Sequence, residues 1–249
     1  MTVPAVLEAY RTWGLSTLSC EQLAHFARLL VASPVNVISA RSVEEIETRH
    51  FLDCLELLAL PELHHPGARV VDIGTGGGLP ALVLAIALPG ARVTAVESIR
   101  KKCLFLERAV DALALPNVVI EVARAEELAL AGGRERFDVA VTRAVGPLHQ
   151  VAELSVPLLK VGGMMVAMKG RLDDSEWREG CRALAILGVD HVEQLTTVPF
   201  PEARHHRLVI GRKVRPTPAG FPRRGAALNK PPRFTSAAVT TQGERGESS

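Results

Sequence analysis

The residues best placed to do chemistry lie in one short run, Val70-Val71-Asp72-Ile73-Gly74-Thr75-Gly76-Gly77-Gly78-Leu79-Pro80. An apolar β-branched stretch runs into glycines, which let a backbone approach a ligand closely, and Pro80 suits the first turn of a following helix. The dinucleotide fingerprint requires glycine or alanine where Leu79 stands, and the Gly-Lys-Ser/Thr ending that grips phosphates is missing. Asp72 places a carboxylate at the mouth of the loop, where it repels a diphosphate and attracts a cation such as a sulfonium. Its plainer role is to cap backbone amides. Glu97, 25 positions later at the end of the next apolar run, has the spacing of an acid that takes the two hydroxyls of a ribose. NAD-binding folds use the same device, and Glu97 can equally pair with Arg100 or Lys101. Taken together, the loop favours S-adenosyl-L-methionine over NAD.

Further along, Ala125-Glu126 follows a third apolar run, at the height where an adenine would lie, although Glu126 also reads as the first turn of a helix. The fourth run ends in Thr142-Arg143-Ala144-Val145-Gly146-Pro147. Methylation of exocyclic amines commonly uses an Asn/Asp-Pro-Pro-Tyr loop at this point, and none is present. Carbon-5 methylation of a pyrimidine needs a nucleophilic cysteine. Cys103, the nearest in sequence, sits within an expected helix. A target with a free lone pair and no proton to lose needs neither device, so no general base is expected; guanine N7 is such a target. Arg143 can contact the cofactor, a substrate phosphate or a guanine acceptor, or it can pair with Glu126 or Asp138 at the sheet edge.

These residues need a scaffold that brings strand ends together. Short β-branched runs alternate with helical segments from Arg69 onward, the pattern of a mostly parallel sheet covered on both faces. The expected strands are Arg69–Ile73, Arg92–Glu97, Asn117–Val122, Phe137–Thr142, Met164–Met168, Val189–Val198 and His206–Arg212. The expected helices are Pro80–Leu88, Arg100–Leu113, Leu148–Val161 and Ser175–Leu187. The last two strands leave no room for a helix between them and should pair antiparallel. Before the sheet, residues 1–66 read as a helical extension: Val6 to Ala32 broken near Ser16–Ser19, then a second helix from Ser42 or Val43 to Leu60, stopped before Pro61.

The chain has 249 residues, 47% hydrophobic and 22% charged, which excludes wholesale disorder. The longest apolar run, Leu79–Leu88, is far below the roughly 20 residues of a membrane span, so no membrane role is expected. The four cysteines are too widely spaced for a CxxC metal site, and no metal is expected. The net charge of +2 hides an asymmetry. From Lys213 on, seven basic residues face Glu244 and Glu247, giving a tail of +5 on a body of −3. With its five prolines, the segment 214–249 reads as a flexible basic tail for a polyanion, next to the plainer reading of a solvated end.

Several ordered motifs then resemble the ribosomal RNA small subunit methyltransferase G family, also called glucose-inhibited division protein B. They are Asn36-Val37-Ile38-Ser39-Ala40-Arg41, Arg49-His50-Phe51-Leu52-Asp53-Cys54-Leu55, the Asp72 to Pro80 loop, Thr142-Arg143-Ala144, Phe221-Pro222-Arg223-Arg224-Gly225 and Asn229-Lys230-Pro231. Cys54 stands where that family usually has serine, and Ala81 where glycine is common. The resemblance implies a Rossmann-like class I methyltransferase that methylates N7 of a guanine in 16S rRNA, position 527, using S-adenosyl-L-methionine, in the cytoplasm. It implies that Gly74, Leu79, Glu97 with Ser98, Ala125, Glu126 and Arg143 line the cofactor pocket, joined by Asp72, Gly76 and Gly78 of the loop. The rRNA or the small ribosomal subunit would meet Arg41, Lys169, Arg207, Arg223, Arg224 and Lys230, and a monomer is expected. His50 and Asp53 share a helical face and should help the extension dock on the sheet. Rival readings are a small-molecule methyltransferase, an NAD-linked oxidoreductase and a non-catalytic rRNA assembly factor.

Overall fold

A computed structural model describes residues 3–232; Arg233 and Arg245 of the basic tail lie outside them. Seven strands form one sheet: β1 Arg69–Ile73, β2 Arg92–Glu97, β3 Val118–Val122, β4 Phe137–Arg143, β5 Leu159–Lys169, β6 Val189–Thr196 and β7 Arg207–Lys213. Their order is β3-β2-β1-β4-β5-β7-β6. The first five are parallel, and β7 inserts antiparallel between β5 and β6. The antiparallel pair expected at one edge is present, with the later strand on the inside.

Alternate strand residues feed two cores, which is why the central strands are apolar almost throughout. Val70, Val139 and Val141 pack with α2 (Thr17–Ala32), α5 (Ala81–Ala87) and α6 (Arg100–Ala112). Val71, Ala140 and Met165 pack with α8 (Leu148–Ser155) and α9 (Asp174–Leu187). The extension, which starts with α1 (Val3–Thr12), shares the first core through Leu23, Phe26, Ile46 and Phe51. The rings of Phe26 and Phe51 stack 5.4 Å apart.

Three expected elements are corrected. The helix from Ser42 or Val43 to Leu60 is broken: α3 (Val43–Glu45) passes into a π-helical turn at Ile46–Phe51, then α4 (Leu52–Leu55) and a 3-10 turn at Glu56–Ala59. The expected helix Leu148–Val161 stops at Ser155, because Pro157 has no N–H to continue it and a 3-10 turn at Val156–Leu158 leads straight into β5. As a result β5 runs from Leu159, well before the expected Met164.

The basic end is corrected as well. Lys213 is fully buried, and its ammonium donates to Glu135 at 2.9 Å and to the carbonyls of Val156 and Leu159. Residues 214–232 form a strap packed on the body instead of a loose tail. Leu228 is buried in the second core, and Arg134 donates to the carbonyls of Thr217, Pro218 and Phe221. Arg223 grips Glu153, whose carboxylate is fully buried, through both Nε and Nη2 at 2.6–3.1 Å.

Candidate active site

At the carboxyl edge of the sheet, where open α/β sheets bind ligands, β1 delivers the glycine loop. Gly74 has φ +68°, which strains any side-chain-bearing residue, and a Cβ there would crowd the Val145 side chain at 3.2 Å. Gly78, at φ +92°, would drive a Cβ to 3.0–3.2 Å from Leu82 and Leu106; it serves helix packing. The extension closes over the loop, since a Cβ on Gly77 would meet the Val37 carbonyl at 2.9 Å. Leu79 is buried beside it.

Asp72 is corrected. It does not sit at the loop's mouth but is fully buried beneath it, with Oδ2 accepting from the Ala81 amide at 3.0 Å. The plainer role, capping the helix that follows the loop, accounts for Oδ2, while the buried Oδ1 has no hydrogen-bond partner among the described residues. Burial pushes its carboxyl up to about 7, against the pull of Thr75 and the Ala81 amide. An enclosed acid whose carboxyl is raised by burial is a weaker lure for a cation than a solvent-facing carboxylate.

Glu97 pairs with neither Arg100 nor Lys101. Its Oε2 accepts from the Gly76 amide at 3.1 Å and its Oε1 from the Ile99 amide at 2.8 Å, which fixes a nearly buried carboxylate at the end of β2. Each oxygen keeps a lone pair. Exposed Ser98 follows it. Ala125 and Glu126 open the short helix α7 (Ala125–Leu128), so the helical reading of Glu126 is right about its backbone. Its side chain is 8% exposed and makes no hydrogen bond or ion pair among the described residues. A nearly buried carboxylate in that state is a candidate ligand acceptor.

Arg143 ends β4 and pairs with neither Glu126 nor Asp138. Its Nε lies 3.2 Å from Asp53 Oδ2, its Nη2 lies 2.5 Å from His50 Nδ1, and its Nη1 lies 3.8 Å from Cys54 Sγ. Burial, followed by the Arg143 charge, holds His50 down at about 4, so the imidazole is neutral and its Nδ1 accepts. Burial pushes the Cys54 thiol up to about 12, far from a nucleophile. Asp53 Oδ1 also meets His206 Nδ1 at 2.9 Å. The next residue, Ala144, has φ +56°, a left-handed conformation that is uncommon for a side-chain-bearing residue. It borders a cleft of about 120 Å³ between the ends of β4 and β5, lined also by Thr142, Val145 and Lys169.

The expected RNA contacts divide. Arg41, Arg224 and Lys230 are exposed, and no ion pair engages their side chains among the described residues. Arg207 is half-buried, its Nη1 donating to Gln194 at 2.8 Å. Lys169 and Arg223 are corrected as surface contacts. Lys169 is held between Glu176 at 2.7 Å and the Gly146 carbonyl at 2.8 Å, and Arg223 is held by Glu153. Sequence reasoning missed His206 and Glu153, each far along the chain from its partner, and saw Cys54 only as a motif residue, without its contact to Arg143. The His50/Asp53 spacing was visible, but Arg143 as the group it serves was not.

Among the described residues no helix is long and apolar enough to cross a membrane, and no group of three or more potential metal ligands occurs. The family model described as rRNA small subunit methyltransferase G matches residues 19–206. A protein of Rubrobacter xylanophilus named Ribosomal RNA small subunit methyltransferase G is 41% identical over 237 residues, 90% of each chain. One of the same name from Deinococcus radiodurans is 40% identical over 222 residues, 87% of each chain. Among solved structures, a SAM-dependent O-methyltransferase from Thermotoga maritima aligns with TM-score 0.52 at 20% identity, covering 66% of this chain and 65% of its own. Aeropyrum pernix fibrillarin, solved with natively bound S-adenosyl-L-methionine, aligns with TM-score 0.51 at 17% identity, covering 64% and 72%. At such identities the two structures support the fold alone, a class I methyltransferase sheet.

Proposed function

We infer the reaction from one established premise: the chain belongs to the rRNA small subunit methyltransferase G family. It is an S-adenosyl-L-methionine-dependent methyltransferase of small-subunit rRNA. We propose that the acceptor is N7 of a guanine, position 527 of 16S rRNA, and that the enzyme works in the cytoplasm as a monomer without a metal, on the rRNA or the small subunit carrying it.

The charge balance at the carboxyl edge supports the cofactor on which this reading depends. Glu97 and Glu126 supply carboxylates, and Arg143 is already neutralised by Asp53. That balance suits a cationic nucleoside and disfavours a diphosphate. The residues present fit the cofactor: Gly74 and Gly76 leave room beside the backbone, Glu97 and Glu126 offer acceptors, and Ser98, Leu79, Ala125 and Arg143 complete the lining. When bound, S-adenosyl-L-methionine supplies an electrophilic methyl group. A guanine N7 has a lone pair and no proton to lose, so no side chain has to act as a base. The protein's part is to align N7 and keep water out. Arg41, Arg207, Arg224 and Lys230 would hold RNA phosphates.

Calorimetry with S-adenosyl-L-methionine and NAD, followed by transfer of a tritiated methyl to 16S rRNA, tests the proposal. The expected result is binding of the first only, with label recovered as 7-methylguanine at a single position. Glu97→Gln should weaken cofactor binding by about tenfold to a hundredfold, the loss expected for hydrogen bonds to a charged group. Label at another guanine atom would refute the N7 assignment, and binding without turnover would favour an assembly factor.

A further inference from the structure

Asp53 belongs to the extension, yet both of its oxygens are committed to groups on the sheet. One holds the Nε of Arg143 at the end of β4. The other holds Nδ1 of His206, the residue before β7. Its side chain is 10% exposed and that of His206 34%, so water screens the contact to Arg143 poorly and the contact to His206 more. The Arg143 side chain, 19% exposed, is gripped on its other edge by His50. A guanidinium has five N–H donors in a rigid fork. With Nε on Asp53, one Nη2 hydrogen on His50 and one Nη1 hydrogen on Cys54 Sγ, two donors remain for a ligand, and the direction in which they point is set by residues of the extension.

We propose that Asp53 is a positioning residue for methyl transfer: it fixes the Arg143 fork toward the cofactor, and His206 fixes Asp53 in turn, so that the loop entering β7 and the cofactor site share one carboxylate. This rests on the reading that Arg143 lines the cofactor pocket. Three observations give it weight beyond simple docking. His50 accepts only because it is neutral, and a neutral imidazole beside a guanidinium is a directional contact, not a charge-driven one. The stretch from Arg49 to Phe51 lies in a π-helical turn, a rare geometry that recurs at functional sites. The far side of His206 is itself fixed, since Phe200 packs edge-on to its ring at 5.2 Å and Arg49 sits 5.9 Å over Phe200. These two side chains, with Thr48 and Glu202, line a surface cleft of about 460 Å³. The outer end of the network therefore lies at the surface, in a cleft that also carries Glu44 and Glu45, and its inner end is Arg143.

The test uses the full-length protein with Asp53→Asn, His206→Ala and His206→Asn, and measures the cofactor Kd by calorimetry, melting temperature, and kcat and KM for 16S rRNA. Asp53→Asn, which sets an amide against a donor, should raise the cofactor Kd by about tenfold or more and lower kcat. His206→Ala touches no atom of Arg143, yet it should raise the same Kd severalfold. His206→Asn, whose amide N–H can replace Nδ1–H, should restore it. The double variant Asp53→Asn/His206→Ala should bind no worse than Asp53→Asn alone. A fall in melting temperature with Kd unchanged in both single variants would reduce the network to docking and overturn the proposal, as would additive effects in the double variant. If Asp53→Asn does not fold, the His206 pair decides alone. Wild-type protein that binds no S-adenosyl-L-methionine would remove the underlying functional reading too, an outcome distinct from variants that bind as well as wild type.

Discussion

The N-terminal extension and the C-terminal strap both lie outside the seven strands, and each sends charged residues onto the body, but to different places. The extension reaches the carboxyl edge, where His50 and Asp53 meet Arg143. The strap reaches the face covered by α8, where Arg223 neutralises Glu153. In the first case an added segment completes a site; in the second it completes a core and leaves Arg224 and Lys230 outward. A basic composition therefore says little about which basic residues meet RNA until their acidic partners are located.

This contrast can be broken most forcefully at the strap. Arg223→Ala removes the guanidinium from buried Glu153, leaving it only the amide of residue 223, and should cost up to about 3–5 kcal/mol of stability, read as a large drop in melting temperature, while cofactor affinity per folded molecule stays unchanged. An altered cofactor Kd would mean that the two appendages are not separate in function. A smaller effect belongs to the extension. His50 is held neutral when folded, with its value at about 4, while the unfolded imidazole titrates near 6.5. Between these values the unfolded chain binds the extra proton, so this contribution to stability is complete above pH 6.5 and declines as the pH falls toward 4. Melting curves over that range should flatten in His50→Gln. An equally steep decline in the variant would place the acid sensitivity elsewhere. The smallest change in stability, within about 0.5 kcal/mol, is expected for Arg224→Ala/Lys230→Ala. The same pair should weaken rRNA binding and lower its salt slope by roughly 1 to 2, as for two lost phosphate contacts. An unchanged slope would remove the strap from the RNA surface.

How much of this could be read from the sequence follows from distance along the chain. β1 and β2 begin and end at the expected residues, because charged and glycine positions bracket short apolar runs. The glycine loop and Glu97 were legible for the same reason: their partners lie within about one strand-helix-strand unit. The partners of Arg143 and Lys213, and Glu153 as the partner of Arg223, stand 54 to 93 positions away, and only the folded sheet brings them together. Lys169 was misread because nothing local announced that Glu176, on the next helix, would occupy it. The π-helical turn also escaped, since its residues keep an ordinary helical pattern of apolar positions. Asp72 shows the opposite failure. Its place in the motif was plain, but whether a strand-end carboxylate points up into a cleft or down into the protein depends on a packing angle that spacing does not encode.

The strand order carries a consequence for synthesis. Because β7 slots between β5 and β6, the ribosome makes an outer strand before the inner one on which it leans. Until Lys213 emerges, β5 has a bare flank and β6 has no neighbour to bond. A nascent chain halted before Arg207, with all of β7 missing, would expose the apolar β5 ready to pair with any other strand, so premature termination in this window should yield aggregation-prone fragments in place of a trimmed enzyme.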